Sequence, residues 1–137
     1  MIRTVPGKLV PDFWPLCEPF FARALRRHPF LDAEGLLELL LVGHAHLIVA
    51  IEDDRLVGAV AMEAVTYPKT KVGNVIAAAS DQGMLKRHGE AVQAHLVSWC
   101  LEQGCNKIGM LGRAGWSEFL RRRGWHRQPL VAAWKEL

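Results

Sequence analysis

The sequence lacks the features that mark secreted, membrane-spanning and metal-binding proteins. Its N-terminus has no continuous apolar stretch of the secretory type, and none of its apolar runs, including Leu39 to Val42 extended back to Leu36 across Glu38, is long enough to cross a bilayer. Its three cysteines, Cys17, Cys100 and Cys105, form an odd set without metal-ligand spacing. We therefore expect a soluble, cytoplasmic protein whose cysteines are buried, reduced thiols.

Internal repeats, low-complexity tracts and polar linkers are also missing, which predicts a single domain over residues 1–137. His44 and His46 form a His-x-His pair, but no third ligand follows at a recognisable spacing, so we expect no metal. Tyr67 is the one tyrosine. A phenol that donates a proton would have to be this one, although packing at a strand end also explains it.

The charge of the chain is unevenly distributed. Residues 84–137 carry nine lysines and arginines against four glutamates, which gives +5, whereas residues 1–83 carry eight against ten acids, which gives −2. A positive excess of this kind favours an anionic ligand. A phosphorylated cofactor and a nucleic acid backbone both meet that description.

The hydrophobic period changes several times along the chain. Phe13, Leu16, Phe20 and Ala24 recur at helical spacing, and Asp32 is a candidate N-cap. The predicted helices cover residues between 12 and 27, 32–43, 86–103 and 115–123, and the predicted strands cover 2–5, 46–51, 56–65, 71–79, 106–112 and 130–134.

This order predicts an α/β domain with a mixed sheet. The strands at 46–51 and 56–65 form an antiparallel hairpin around the turn at 52–55. The strands at 71–79 and 106–112 are expected to be parallel, because the long helix at 86–103 connects them.

One motif carries chemistry. Lys86-Arg87-His88-Gly89-Glu90-Ala91 lies at the predicted start of the long helix. A helix N-terminus offers backbone N–H groups and a favourable dipole to anions, and a glycine lets the backbone approach a diphosphate closely. A basic helix start with a helix-packing glycine is the alternative interpretation.

The segment and the order of elements resemble the GCN5-related N-acetyltransferase (GNAT) fold, whose signature is Gln/Arg-x-x-Gly-x-Gly/Ala. Lys86 stands in place of the usual Gln or Arg.

Gly124-Trp125 resembles the end of the final helix of that family. Leu120 replaces the tyrosine that often acts as general acid, and Arg113 replaces a frequent cofactor-contacting asparagine. Gly112 to Trp116 resembles a motif of short bacteriophage proteins of this type.

The resemblance implies acetyl-coenzyme A as co-substrate and a primary amine of unknown identity, on a small molecule or a protein, as acceptor. It also implies that the backbones of Ile76, Ala77 and Ala78 meet the pantetheine arm, and that Arg113 and Lys86 to Ala91 form the rest of the cofactor site. Candidate bases are Glu63, an acid inside an apolar run, and Ser80 and Asp81 at the strand end.

Two other interpretations remain open. The missing tyrosine and asparagine favour a catalytically silent module, for example in a phage particle or as an inhibitor of a host protein. The arginines at 113, 121–123 and 127 favour nucleic-acid binding, although no recognised signature accompanies them. The oligomeric state stays open, with a homodimer among the options.

Overall fold

The computed structural model describes residues 1–110, 117–128 and 133–137 of the chain. The strands are β1 (Ile2–Val5), β2 (His46–Glu52), β3 (Arg55–Thr66), β4 (Lys71–Ser80) and β5 (Lys107–Met110). The helices are α1 (Val10–Leu25), which follows a 3-10 turn at Gly7–Leu9, then α2 (Ala33–Leu41), α3 (Met84–Glu102) and α4 (Ser117–Arg121).

The five strands form one sheet in the order β1-β2-β3-β4-β5. Neighbours are antiparallel except β4 and β5, which are parallel and connected by α3. Asp53 and Asp54, both with positive φ, make the two-residue turn between β2 and β3, as hairpins of this length require. The predicted mixed α/β fold and its single parallel pair are therefore confirmed.

The first two helices pack on one face of the sheet. In α1 the fully buried residues are Val10, Cys17, Phe21 and Leu25, which repeat at helical spacing. The prediction placed Leu16 on this face, but Leu16 is 58% exposed. Phe13, Phe20 and Ala24 pack against the core as predicted, whereas Leu16 does not, because Cys17 and Phe21 take the buried positions beside it. Asp32 caps α2 as predicted, since its side chain accepts a hydrogen bond from Gly35 N.

The core consists of two clusters separated by the sheet. The first cluster joins α1 and α2 to Leu47, Val49 and Ala77, and the second joins α3 to Val60, Met62 and Val75. All three cysteines are buried and free, as expected. Burial raises the pKa of Cys17 to about 12 and that of Cys100 to about 11, so both thiols stay protonated at neutral pH.

Parts of the prediction fall outside the described residues. The predicted strand at 130–134 and the helix start at 115–116 include such positions. Trp134, in that predicted strand, is 56% exposed and meets Phe30 edge to face at 5.8 Å. Within the described ranges, every helix is too short or too polar to span a bilayer.

Gly73 of β4 lets α3 approach the sheet. A Cβ at Gly73 would lie 2.2 Å from Cys100 Sγ, so we expect Gly73→Ala to lower the free energy of unfolding by roughly 1–3 kcal/mol through overpacking. Denaturant unfolding measures this. Gly109→Ala is the control, because a Cβ there makes an ordinary contact of 3.7 Å with Val72. Equal stability of the two variants would contradict the packing described.

Candidate functional site

A groove of about 800 Å³ opens at the carboxyl end of β4. Its floor is formed by residues 75–80 of that strand, one side by residues 23–28 at the end of α1, and the other by residues 81–85 leading into α3. The two helices belong to opposite faces of the sheet. The groove therefore gives access to the strand end from both faces.

The floor of the groove is the part of β4 that lies beyond its described pairing with β5. The described pairing of β4 with β5 ends at Val75 and Met110, so no described residue of β5 pairs with Ile76 to Ser80. On the other side, Ala61 pairs with Ala77 and Met62 with Val75, which leaves Ile76 as a bulge. Bulges re-aim backbone groups and are frequent beside active sites. The predicted cofactor-contacting residues Ile76, Ala77 and Ala78 all line the groove.

The long helix begins two residues before the predicted start, at Met84, with Gly83 in a left-handed N-cap conformation. Gly83 can adopt φ of 80° without the penalty that a Cβ imposes. In the first turn, Met84 N donates to Asp81 O and Arg87 N to Gly83 O. The N–H groups of Leu85 and Lys86 lie where a helix supplies no internal acceptor. Lys86 is exposed beside them.

Gly89 lies inside α3 and is buried. A Cβ there would stand 2.6 Å from the ring of Phe119 on α4. The neighbouring motif residue Glu90 pairs with Arg123 at 2.6 Å, and the Arg123 guanidinium stacks on Phe119 at 3.5 Å from the ring centroid. The second half of the motif thus holds α4 against α3, as the helix-packing interpretation requires. A role of Gly89, Glu90 and Ala91 in cofactor binding stays a prediction.

The two cations in the middle of the motif share one partner. Glu52, at the end of β2, accepts hydrogen bonds from Arg87 Nε at 3.1 Å and from His88 Nε2 at 2.5 Å. The bond to His88, and next the bond to Arg87, lower the pKa of the Glu52 carboxyl below its ordinary value. Arg87 and His88 therefore reach an anionic ligand only in competition with Glu52.

The candidate bases are placed differently. Ser80 and Asp81 line the groove, with Asp81 at 3.9 Å from Arg55 Nη2. Glu63 is half-buried on β3, where its carboxylate accepts a hydrogen bond of 2.9 Å from Asn74. It is not among the described residues that line the groove. The structure thus brings two of the three candidates to the strand end.

Other candidates lie away from the groove. Tyr67 belongs to the turn between β3 and β4, at the opposite end of the ten-residue strand β4. His46 packs against Trp99 at 5.4 Å between ring centroids, and the described residues contain no group of three metal-ligating side chains.

Leu120 and Trp125 line a small apolar cavity between α3 and α4. Arg113 and the segment 112–116 lie outside the described residues.

Sequence reasoning missed the arginines of α1. Arg23, Arg26 and Arg27 line the groove, although they belong to the part of the chain with net charge −2. The net charge of residues 1–83 does not reveal these arginines, because the acids of that segment outnumber its lysines and arginines. The signal that could have found them is their position: they cluster at the end of a helix, where the helix dipole favours cations.

Gly89→Ala tests the packing role of the motif glycine. We expect a loss of roughly 1–3 kcal/mol in unfolding free energy, and partial recovery when Phe119→Leu is added, because the smaller side chain vacates the contact. Thermal or denaturant unfolding measures both. Gly7→Ala is the control, since a Cβ there meets nothing within 4 Å. A stable Gly89→Ala variant would show that the helix contact is not tight.

The Glu52 contact predicts a defined pH response. A lowered pKa means that the contact stabilises the fold at neutral pH and that this contribution is lost as pH falls through the lowered pKa. Carboxyl NMR titration should show Glu52 ionising below the ordinary range of a glutamate. His88→Ala should raise that pKa, whereas His126→Ala, at an exposed histidine, should not. An unchanged Glu52 pKa in His88→Ala would contradict the hydrogen bond.

Comparison with known proteins gives structural matches only. No family model matches the chain, and no curated protein matches its sequence significantly. An aminoglycoside acetyltransferase from an uncultured soil metagenomic sample, solved with sisomicin, superimposes with a TM-score of 0.76 at 16% identity, covering 100% of this chain and 95% of that one.

Two further solved structures are similar over the whole chain. A GCN5-related N-acetyltransferase from Ralstonia eutropha gives a TM-score of 0.69 at 16% identity, with 100% of this chain and 97% of that chain covered. A predicted acetyltransferase from Clostridium acetobutylicum, solved with acetyl-CoA, gives a TM-score of 0.69 at 15% identity, with 100% of this chain and 94% of that chain covered. The chain has the fold of the GCN5-related N-acetyltransferases.

Proposed function

We propose that this chain is an N-acetyltransferase that moves an acetyl group from acetyl-coenzyme A to a primary amine. The observation that carries the proposal is the conjunction, in one groove, of the strand backbone at Ile76 to Ala78, beyond the described pairing of β4 with β5, and the first turn of α3. The similarity to acetyltransferase structures supports the same activity.

The residues present fit the proposed co-substrate. The pantetheine arm contains amides, which can pair in the manner of an added strand with the backbone of Ile76 to Ala78, for which no described residue of β5 is a partner. The N–H groups of Leu85 and Lys86 and the Lys86 ammonium suit a diphosphate at the helix start. In this arrangement Arg87 and His88 contribute once Glu52 releases them.

Acetyl transfer needs a base and a proton donor. The amine attacks the thioester carbonyl carbon, the C–N bond forms, the C–S bond breaks, and the ammonium proton must leave while the thiolate gains one. We assign proton removal to Asp81, which lines the groove, and keep Glu63 as the second candidate. Ser80 also lines the groove, and its hydroxyl is suited to pass a proton to the thiolate.

A catalytically silent binding module is the second candidate. It is favoured by the Glu52 contact, which occupies two motif cations, and by the distance of Tyr67 from the groove. Nucleic-acid binding stays a prediction, and Arg123 is engaged with Glu90 and Phe119. The bacteriophage origin, the cytoplasmic location and a homodimer stay predictions as well.

Calorimetry with acetyl-coenzyme A tests the binding step. We expect saturable binding that Lys86→Glu weakens, because the substitution places a negative charge at the helix start. Lys69→Glu, in the turn at the far end of β4, makes the same charge change and should leave the Kd unchanged. Absence of binding at millimolar acetyl-coenzyme A would overturn the proposal.

Thiol release with a panel of amines tests the chemistry. The panel includes polyamines, aminated nucleotides, peptides with free N-termini and aminoglycosides. Asp81→Asn should lower kcat by about 10²- to 10⁴-fold, with the Kd for acetyl-coenzyme A retained. A comparable loss in Glu63→Gln, and none in Asp81→Asn, would transfer the role to Glu63. Tight cofactor binding without any acetylated product would favour the silent module.

A further inference from the structure

Two arginines of the groove have no part in the proposed chemistry. Arg26 and Arg27 follow the last residue of α1, line the groove and are exposed. Neither forms an ion pair with a carboxylate in the described part of the chain. Their position at a helix C-terminus stabilises them without such a partner. Two adjacent guanidinium groups facing a groove are suited to bind an anion.

The location of these arginines distinguishes them from the diphosphate site. The helix α1 packs on the face of the sheet that carries Leu47 and Val49, whereas α3 packs on the opposite face against Val60 and Met62. A molecule with its diphosphate at the start of α3 and its thioester along Ile76 to Ala78 reaches the strand end from the α3 face. A molecule that enters the groove from the α1 face meets Arg26 and Arg27.

The described lining of the groove contains more positive than negative side chains. Arg23 donates to the carbonyl oxygen of Ser80 at 3.1 Å, which holds it across the strand end. Among the described residues, Asp81 is the one carboxylate that lines the groove, against three arginines.

An adjoining hollow beside the loop between α1 and α2 shares Arg26 and His28 with the groove and adds Asp32 and Glu34. Asp32 is engaged as the cap of α2. His28 Nδ1 accepts hydrogen bonds from Phe30 N and Leu31 N, at 3.1 and 3.0 Å. A neutral His28 therefore carries its proton on Nε2, as a donor.

We infer that the acceptor amine carries an anionic group, a carboxylate or a phosphate, that binds to Arg26 and Arg27. The inference rests on the proposed acetyl transfer and adds the class of acceptor. The arginines repel polycationic amines, so this groove disfavours polycationic acceptors such as aminoglycosides.

Matched amine pairs test the inference at saturating acetyl-coenzyme A. β-Alanine is compared with propylamine, and phosphoethanolamine with ethanolamine, with spermidine as the polycation. We expect kcat/KM at least tenfold higher for the anionic member of one or both pairs. The pair that shows the difference identifies carboxylate or phosphate as the preferred group. Equal use of both members, or preference for spermidine, would overturn the inference.

A double variant, Arg26→Gln with Arg27→Gln, tests the residues. It should raise KM for the anionic amine by tenfold or more and leave the neutral amine unchanged. Lys69→Gln, which removes a charge at the far end of β4, is the matched control and should change neither value. An equal loss for both members of a pair would contradict a charge-specific contact. Thermal unfolding of each variant verifies that the fold is retained.

A competing anion for these arginines is the 3′-phosphate of coenzyme A itself. Calorimetry with coenzyme A and with dephospho-coenzyme A, which lacks the 3′-phosphate, shows whether the arginines bind the cofactor or the acceptor. We expect the double variant to leave both Kd values within about twofold. If the Kd for coenzyme A rises tenfold and that for dephospho-coenzyme A does not, the arginines bind the cofactor, and the inference fails while the proposed function stands.

Binding without turnover is measured separately, so that a failure of the proposed function is recognised as such. In an NMR titration with acetyl-coenzyme A present, β-alanine or phosphoethanolamine should shift the amide signals of Arg26 and Arg27, and their neutral partners should not. Such shifts without acetylated product would support the anion site and overturn the proposed reaction. The absence of anion-specific shifts would overturn the inference.

Discussion

The feature on which the candidate site depends is the part of β4 beyond its described pairing with β5. Its pairing with β5 stops, in the described residues, at Val75, while its pairing with β3 continues to Ser80. The bulge at Ile76 lies at this transition. Because buried or half-buried backbone groups need partners, five residues of strand edge next to a groove are suited to an amide-containing ligand. This part of the strand thereby provides the surface on which both proposed substrates are expected to meet.

The helices on the two faces give that edge a different chemistry on each side. On the α3 face, a helix N-terminus and Lys86 favour an anion, and Glu52 competes for Arg87 and His88. On the α1 face, a helix C-terminus carries Arg26 and Arg27. The sheet separates the two charged regions, so one extended molecule fits the first and a second molecule fits the other. This separation is the basis for assigning cofactor and acceptor to different faces.

The sequence predicted the fold more completely than the site. The hydrophobic period, the Asp32 cap and the turn at 52–55 predicted the order of elements, the hairpin and the parallel pair of β4 and β5, since these depend on local patterns and on the helix between the two strands. It did not distinguish whether Gly89 faces a diphosphate or Phe119, because both need a residue without a side chain. Nor did it place Glu52 beside His88, or the α1 arginines beside Ser80, because those contacts join residues distant in the chain.

The start of α3 and the carboxyl end of β4 are proposed to bind one molecule. Amide NMR of the whole protein, titrated with coenzyme A, tests it most directly. The account predicts shifts concentrated at residues 76–78 and 83–86, with smaller changes at Glu52 as its partners are drawn to the ligand. Shifts confined to α4 or to the turn between β3 and β4, with residues 76–86 unchanged, would contradict it.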